Sequence, residues 1–354
     1  ICQKMNASLT SEEIVQDRNA SVLPSVLDAI GNTPLVALDR LTAKAGLKGR
    51  ILAKLENLNP GLSKKDRVAL QMIRDAERKG NLRPGQCVVE LTSGNTGTGL
   101  AIVCGVTGHP CVLVMSRGNS MERVHMMRGL GAEVVLVDQA PGSVKGRVSG
   151  ADLDLVFDSV GKIVAERGAF RADQFELGSN FDAHYLHTGP EMWRQSGGTI
   201  EAFADFVGTG GTFSGISKFL KEVNPDIHTY IVEPTGCPVL ARAAAPTCQE
   251  LFWGSDPSHR IQGGGYSIEK LKMLSEHTYY TDGFMQVSDE RAIECTRLLA
   301  KEEGIFGGFS SGANLSAALE LLGGEHSGKT IAICICDTGL KYISTDLWQT
   351  DETC

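Results

Sequence analysis

The chain has 354 residues, 42% of them hydrophobic, with a formal net charge of −8 and a pI near 5.6. That is enough apolar chain to bury the core of one large two-lobed domain or of two domains, which excludes a disordered or fibrous protein. The acidic balance excludes a polyanion partner, because a nucleic-acid surface needs a basic stripe that releases counterions, and no apolar run approaches the roughly 20 residues of a membrane helix.

Residues 1–22 read as a short extension. Glu12, Glu13 and Asp17 mix with Lys4 and Arg18, without the apolar core of a signal peptide or the Arg-rich pattern of a transit peptide. A cytoplasmic location is expected, with a leader removed upstream of Ile1 left open. From there, short β-branched runs alternate with helical patterns. Strands are predicted at Arg50–Leu55, Cys87–Leu91, Cys111–Met115, Glu133–Val137, Phe203–Val207, Thr229–Val232 and Thr330–Cys336. Helices are predicted at Lys65–Lys79, Thr98–Thr107, Ser120–Leu130, Asp154–Glu166, Thr212–Val223, Asp289–Glu303 and Gly312–Leu322. This alternation is the pattern of an α/β fold, parallel sheets covered by helices. The polar stretch Gln139–Asp152 reads as a surface loop, and Arg171–Asn180 as the hinge between two lobes. The smaller lobe is expected to span about 60–175, and the larger one 23–59 plus 176–350.

Ten cysteines are scattered without a Cys-x-x-Cys pair, several of them inside apolar runs, which reads as buried reduced thiols. Cys334 and Cys336 alternate with isoleucines and are read as part of a buried strand, not as a metal site. The histidines show no ligand spacing either, so no metal is expected. Asn6, Asn19 and Asn314 head possible glycosylation triplets, but the thiols argue against secretion.

Three glycine- and hydroxyl-rich elements carry chemistry. Ser63-Lys64-Lys65-Asp66-Arg67 follows Asn59-Pro60-Gly61 and offers an amine where a loop becomes a helix. Thr92-Ser93-Gly94-Asn95-Thr96-Gly97 offers hydroxyls and amides to an anion. Together they suit a lysine that forms a Schiff base with pyridoxal phosphate beside a pocket for an amino acid carboxylate. Gly208-Thr209-Gly210-Gly211-Thr212 follows an apolar run, so its amides can converge on a phosphate at a helix start. A solvated lysine and a cap-rich turn would be the ordinary readings of each alone. Two lysines at the positive end of a helix are electrostatically disfavoured, however, which argues for a functional reason.

In these residues the chain resembles the fold-type II pyridoxal-phosphate enzymes, a two-lobed fold like the tryptophan synthase β subunit. Within them it resembles the cysteine synthase and β-cyanoalanine synthase group. The resemblance runs from about Ser25 to about Trp348, through Ile30-Gly31-Asn32-Thr33-Pro34-Leu35, the three elements above, Gln174-Phe175, Thr188-Gly189-Pro190-Glu191, Glu233-Pro234 and Gly308-Phe309-Ser310-Ser311-Gly312-Ala313. It implies that Lys65, not Lys64, carries the cofactor and acts as the general base. It also implies that Asn95 bonds the ring oxygen, that Gly208, Thr209, Gly210, Gly211 and Thr212 hold the phosphate, and that Ser310 faces the ring nitrogen. Thr92, Ser93, Asn95, Thr96, Gln174 and Gly263 then line the amino acid substrate, and a homodimer is implied.

A neutral hydroxyl at the ring nitrogen makes the ring a weaker electron sink, which points to α,β-elimination giving an aminoacrylate to which a small nucleophile adds. The expected activity is therefore β-replacement: cysteine from an O-acylated serine and sulfide, β-cyanoalanine from cysteine and cyanide, or both. Cystathionine synthesis is the alternative enzyme, and a silent cofactor-binding partner or sensor is the alternative to an enzyme. Dehydratases are disfavoured, because their lysine motif is usually Ser-Phe-Lys-x-Arg-Gly. Three segments depart from the family pattern: Lys64, Ile261-Gln262-Gly263-Gly264-Gly265-Tyr266, and Asp337-Thr338-Gly339-Leu340-Lys341-Tyr342. A tight pocket is expected, and the Lys64 charge favours small anions if it faces the site.

Overall fold

The computed structural model describes residues 22–92, 94–143, 148, 150–244, 259–266, 268–276 and 280–349. In chain order its strands are β1 (Leu35–Ala37), β2 (Arg50–Leu55), β3 (Val88–Leu91), β4 (Cys111–Ser116), β5 (Glu133–Val137), β6 (Phe170–Arg171), β7 (Ala202–Phe206), β8 (His228–Pro234), β9 (Gly283–Val287) and β10 (Thr330–Ile335). The helices are α1 (Asp39–Lys44), α2 (Lys65–Arg78), α3 (Asn95–Thr107), α4 (Met121–Gly129), α5 (Gly150–Arg167), α6 (Ser179–Ala183), α7 (Gly189–Gln195), α8 (Gly211–Val223), α9 (Val239–Ala244), α10 (Lys272–Ser275), α11 (Asp289–Glu303) and α12 (Phe309–Gly323).

Two sheets result, ordered β1-β2-β10-β7-β8-β9 and β5-β4-β3-β6. Every pairing is parallel except that of β1 with β2. Helices cover both faces of such sheets, so the central strands are apolar along their whole length and not alternating. Ile331, Ala332, Ile333, Cys334 and Ile335 are all fully buried. The seven cysteines among the described residues are free thiols, and all but Cys87 are buried. Asn314 is equally buried: its side chain accepts from the Phe206 amide at 2.6 Å and donates to the Cys334 carbonyl at 2.9 Å, so it is no glycosylation site in the folded protein. Asn6 and Asn19 lie outside the described residues. No described helix is long and apolar enough to cross a membrane.

Several elements begin earlier than the sequence pattern predicts. α3 starts at Asn95 and not at Thr98, and α12 starts at Phe309 and not at Gly312. Their first turns are small and polar, which reads as loop by local preference, yet they are buried. α5 starts at Gly150, so the expected loop to Asp152 ends sooner. The buried Asp152 carboxylate accepts from the Ala140 amide at 2.6 Å and from the Ser143 hydroxyl at 2.9 Å, which ties that loop to the helix start. The run Ser179–Gln195, unpredicted, is helical: α6, a π turn at His184–Thr188, then α7. Gly189-Pro190 looks like a break, but a proline in the first turn of a helix gives up no hydrogen bond.

A buried charge cluster ties the start of α2 to the larger sheet. The Arg67 guanidinium donates to both oxygens of Glu56, at 2.7 and 2.8 Å, and to both oxygens of Glu191, each at 2.7 Å. Lys54 donates to Glu191 at 2.7 Å and to the Thr33 carbonyl at 2.7 Å. Thr33 gives its hydroxyl proton to Glu56 at 2.6 Å, and the Asn32 amide donates to Glu191 at 2.9 Å. Two cations and two anions face one another, so the cluster is neutral. Burial alone would raise both carboxyls, but the Arg67 charge and its hydrogen bonds outweigh it and hold Glu56 and Glu191 at about 2.

Removing one partner leaves uncompensated buried charge, so Arg67→Ala is expected to lose about 3–5 kcal/mol of unfolding free energy in urea titrations. Because the folded values of Glu56 and Glu191 lie below the unfolded 4.5, their contribution is complete above pH 4.5 and is lost as pH falls toward 2. The stability gap between wild type and Glu191→Gln should therefore close over that window.

Candidate active site

The site is built where parallel strands end. The loop after β10, the loop after β7 and the loop after β3 meet the N-terminus of α2, the place where α/β sheets bind ligands. The loop bearing the two lysines is stitched to the end of β10: the Lys64 amide donates to the Cys336 carbonyl at 2.9 Å, and Ser63 bridges to Asp337. Lys65 is the first residue of α2. Its amine reaches the Thr209 hydroxyl at 3.4 Å, so the lysine of one element touches the glycine cup of another. Burial, and after it the charge of Lys64, lowers its pKa to about 7, against the opposing pull of Asp205, Cys336 and Glu90.

Gly208 to Gly211 turn the chain from β7 into α8, whose first amides have no carbonyl partner within the helix. A side chain at Gly208 would meet the Gly263 carbonyl at 2.7 Å, so only glycine lets this turn lie against the 262–264 loop. Two polar side chains that sequence reasoning missed prepare the cup. The Asn180 amide donates to the Thr209 oxygen at 2.7 Å, which leaves the Thr209 hydroxyl proton free to face an anion. His184 lies 3.1 Å from the Thr212 hydroxyl and 2.9 Å from Thr188, and burial, with Lys64, Arg67 and Lys65 nearby, keeps it well below its ordinary value. Neither residue stood in a recognisable pattern; both lie in the unpredicted helical run.

At the end of β3, the Thr92 oxygen accepts from the amides of Gly94 and Gly97, both at 3.0 Å, so part of its role is to shape the turn. Ser93 lies outside the described residues. Thr96 donates to Gln174 at 2.7 Å, and Gln174 faces Glu90 at 3.4 Å. Burial and the nearby Asp173 hold Glu90 well above the usual carboxylate range, which favours the uncharged acid, and one of its oxygens has no hydrogen-bond partner. Asn95 is oriented from the opposite side. It donates to Asp337 at 2.7 Å and accepts from Lys341 at 2.7 Å, while Tyr342 donates to the same Asp337 oxygen at 2.5 Å. One of the departures from the family pattern, the Asp337–Tyr342 segment, thus supplies this support, and it leaves a second Asn95 N–H for a ring oxygen. At the rim Arg123 packs over the Tyr342 ring, 4.9 Å from its centre, and donates to Gln262.

Ser310 lies in the first turn of α12, whose cap is Gly308. Its hydroxyl would stand 3.9 Å from a methyl group placed on Gly263. The other glycines of that loop do not widen the pocket: a side chain at Gly264 would meet the Val207 carbonyl at 2.5 Å, and one at Gly265 would meet Pro234 at 2.5 Å. The Lys64 charge does not face the pocket. Its ammonium is buried against Asp205 of β7, with contacts of 2.9 and 3.1 Å.

A glycine cup with free amides and hydroxyl protons, a lysine amine at its rim and a serine hydroxyl beside Gly263 fit pyridoxal phosphate. The comparisons agree. Residues 26–337 match the family model described as "Pyridoxal-phosphate dependent enzyme". A cysteine synthase of Staphylococcus aureus is 38% identical over 332 residues, 93% of this chain and 98% of that protein. Among solved structures, isoform 3 of O-acetylserine sulfhydrylase from Entamoeba histolytica superposes with a TM-score of 0.83 at 32% identity, covering 96% of each chain. An O-ureido-L-serine synthase superposes with a TM-score of 0.81 at 33% identity, covering 94% of this chain and 98% of that one.

The chain therefore belongs to the pyridoxal-phosphate dependent enzymes, of the fold-type II architecture, and its cofactor is pyridoxal phosphate. Within this site the Gln174 side chain stands between Thr96 and Glu90, and its link to the glycine cup runs through its backbone carbonyl, which accepts from the Asn180 amide at 2.8 Å. Gln174→Ala is expected to weaken amino acid binding about tenfold or more, the worth of a hydrogen bond to a charged group, with the cofactor spectrum unchanged. Spectral titration with the amino acid measures both.

Proposed function

We propose that this enzyme replaces the β substituent of an activated serine, making cysteine from O-acetylserine and sulfide, with Lys65 as the cofactor lysine. The relatives named above support the reaction class. The observation that carries it is the pairing of a partly buried Lys65 amine, its pKa lowered to about 7, at one side of the cup with the neutral Ser310 hydroxyl beside Gly263. Bound pyridoxal phosphate supplies an electrophilic carbon for the amino group and a ring that draws electrons from Cα.

The chain's own residues supply the rest. Thr92, Thr96 and Gln174 hold the substrate carboxylate, and the uncharged Glu90 adds no repulsion beneath it. Gly208 to Thr212 hold the phosphate through amides and two hydroxyls, and Asn95, fixed by Asp337 and Lys341, donates toward the ring oxygen. Lys65, once displaced by the amino group of the substrate, takes the Cα proton as general base. Ser310 offers the ring nitrogen a hydroxyl and no carboxylate, so electrons from Cα are released by expelling the β leaving group. With Lys64 neutralised by Asp205, selection of a small nucleophile falls to the walls, where the Val207 carbonyl fills the space beside Gly264 and the Pro234 and His259 side chains fill that beside Gly265.

Lys65→Ala should lose nearly all turnover, and borohydride reduction with peptide mapping of the wild type should place the cofactor on Lys65. An adduct on Lys64 would refute the assignment. In steady-state assays with O-acetylserine, sulfide is expected to exceed homocysteine by orders of magnitude in kcat/KM. Cyanide with cysteine as donor tests the β-cyanoalanine reaction on the same residues, and a cyanide rate above the sulfide rate would replace the proposed nucleophile. Ser310→Asp should keep the cofactor and lose most β-replacement.

A further inference from the structure

The motif of this chain has two consecutive lysines, and only the second touches the cup. Lys64 closes the loop that leads into α2, and its side chain runs to the opposite side, into the wall formed by β7 and β10. There its ammonium meets both oxygens of Asp205, at 3.1 and 2.9 Å. Asp205 is itself fully buried, and Asn314 donates to it at 3.1 Å. Lys64 is only 8% exposed, so water screens little of this charge. An ion pair of two buried groups, one directly bonded in sequence to the working lysine, is a large investment for an ordinary salt bridge: hydrophobic residues of similar volume are commonly as stable in such a place.

We propose that Lys64 is a positioning residue for the charge state of Lys65: held by Asp205 beside its neighbour, it keeps the Lys65 amine unprotonated. The inference rests on the reading of Lys65 as the cofactor lysine. The physics is that of like charges in a poorly screened site. A fixed cation one residue away makes a second ammonium unfavourable, and only the neutral amine has a lone pair with which to bond an electrophilic carbon or to take a proton. The other charged or titratable groups facing Lys65 are Asp205 on β7, Cys336 after β10, Glu90 on β3 and His184 in the π turn. His184 is held uncharged, and burial pushes the Cys336 thiol up to about 12. Burial likewise favours the neutral form of Glu90. That leaves Lys64 and Asp205 as the pair of fixed charges, opposite in sign, that bias Lys65 in opposite directions, with Lys64 the stronger.

This opposition gives a signature that mere packing cannot give. The full-length protein is freed of cofactor, and the pH dependence of Lys65 acylation by an amine reagent at low occupancy is read by peptide mapping. The wild-type midpoint is expected at about 7. Lys64→Met removes the cation and unmasks Asp205, so the midpoint should rise by about one unit or more. Asp205→Asn unmasks Lys64, so the midpoint should fall below that of wild type. The double variant Lys64→Met/Asp205→Asn leaves no buried charge unpaired, and because Lys64 is the stronger influence its midpoint should lie above wild type and below the Lys64→Met single variant. If either single variant does not fold, the double variant decides alone: a rise supports the proposal, and an unchanged or lower midpoint overturns it. Single variants that shift the same way, or not at all, overturn it as well. Borohydride mapping separates the two readings. An adduct elsewhere than Lys65 refutes the cofactor assignment, whereas an adduct on Lys65 with midpoints that do not diverge refutes only the role of Lys64.

Discussion

Everything in the site depends on one guanidinium. Arg67 sits two residues after Lys65 and is held in a plane by four hydrogen bonds to Glu56 and Glu191. A planar donor shared between two carboxylates fixes direction as well as distance, so the first turn of α2 cannot rotate about its own axis. Were α2 free to turn by even a fraction of a residue, the Lys65 amine would leave Thr209. The cluster has a net charge of zero, so its field falls off faster than that of a lone buried charge, and the larger charge effects at Lys65 come from Lys64 and Asp205.

Around that anchor the pocket is assembled from loops that share no sequence proximity but share a position at the carboxyl ends of strands. The smaller sheet supplies the turn at Thr92–Gly97 and Gln174, and the larger sheet supplies the cup, Ser310 and the Asp337–Tyr342 segment. Asn95 belongs to the first group yet is oriented by the second, through Asp337 and Lys341. Arg123 and Gln262 make a second such link at the rim. The substrate loop is thus braced from across the cleft, and a change at Lys341 would be felt at Asn95 without altering any residue that touches substrate.

Much of this was legible in the sequence for a physical reason. Central strands such as Arg50–Leu55 and Thr330–Ile335 announce themselves because both of their faces are covered, and the loops after them are recognisable because an anion site needs glycines and hydroxyls in a fixed order. What escaped was set by partners far away in the chain. β1 and β6 have three and two residues and exist only because β2 and β3 offer them an edge. The helical run from Ser179 to Gln195 contains Gly189-Pro190 and polar residues that favour turns, and tertiary packing overrides them. Asn180 and His184 were missed along with it, as were Asp205 and Glu90, since a buried charge in a strand carries no local pattern. Lys64 was noticed, but which way its side chain points depends on a carboxylate 141 residues later.

The strand order holds a consequence for biosynthesis. β10 lies between β2 and β7, both far upstream of it, so a nascent chain on the ribosome cannot close the larger sheet until Ile335 has emerged. Until then β2 and β7 each present an unpaired apolar edge. Such non-local closure is slow compared with helix formation and exposes sticky edges for its duration.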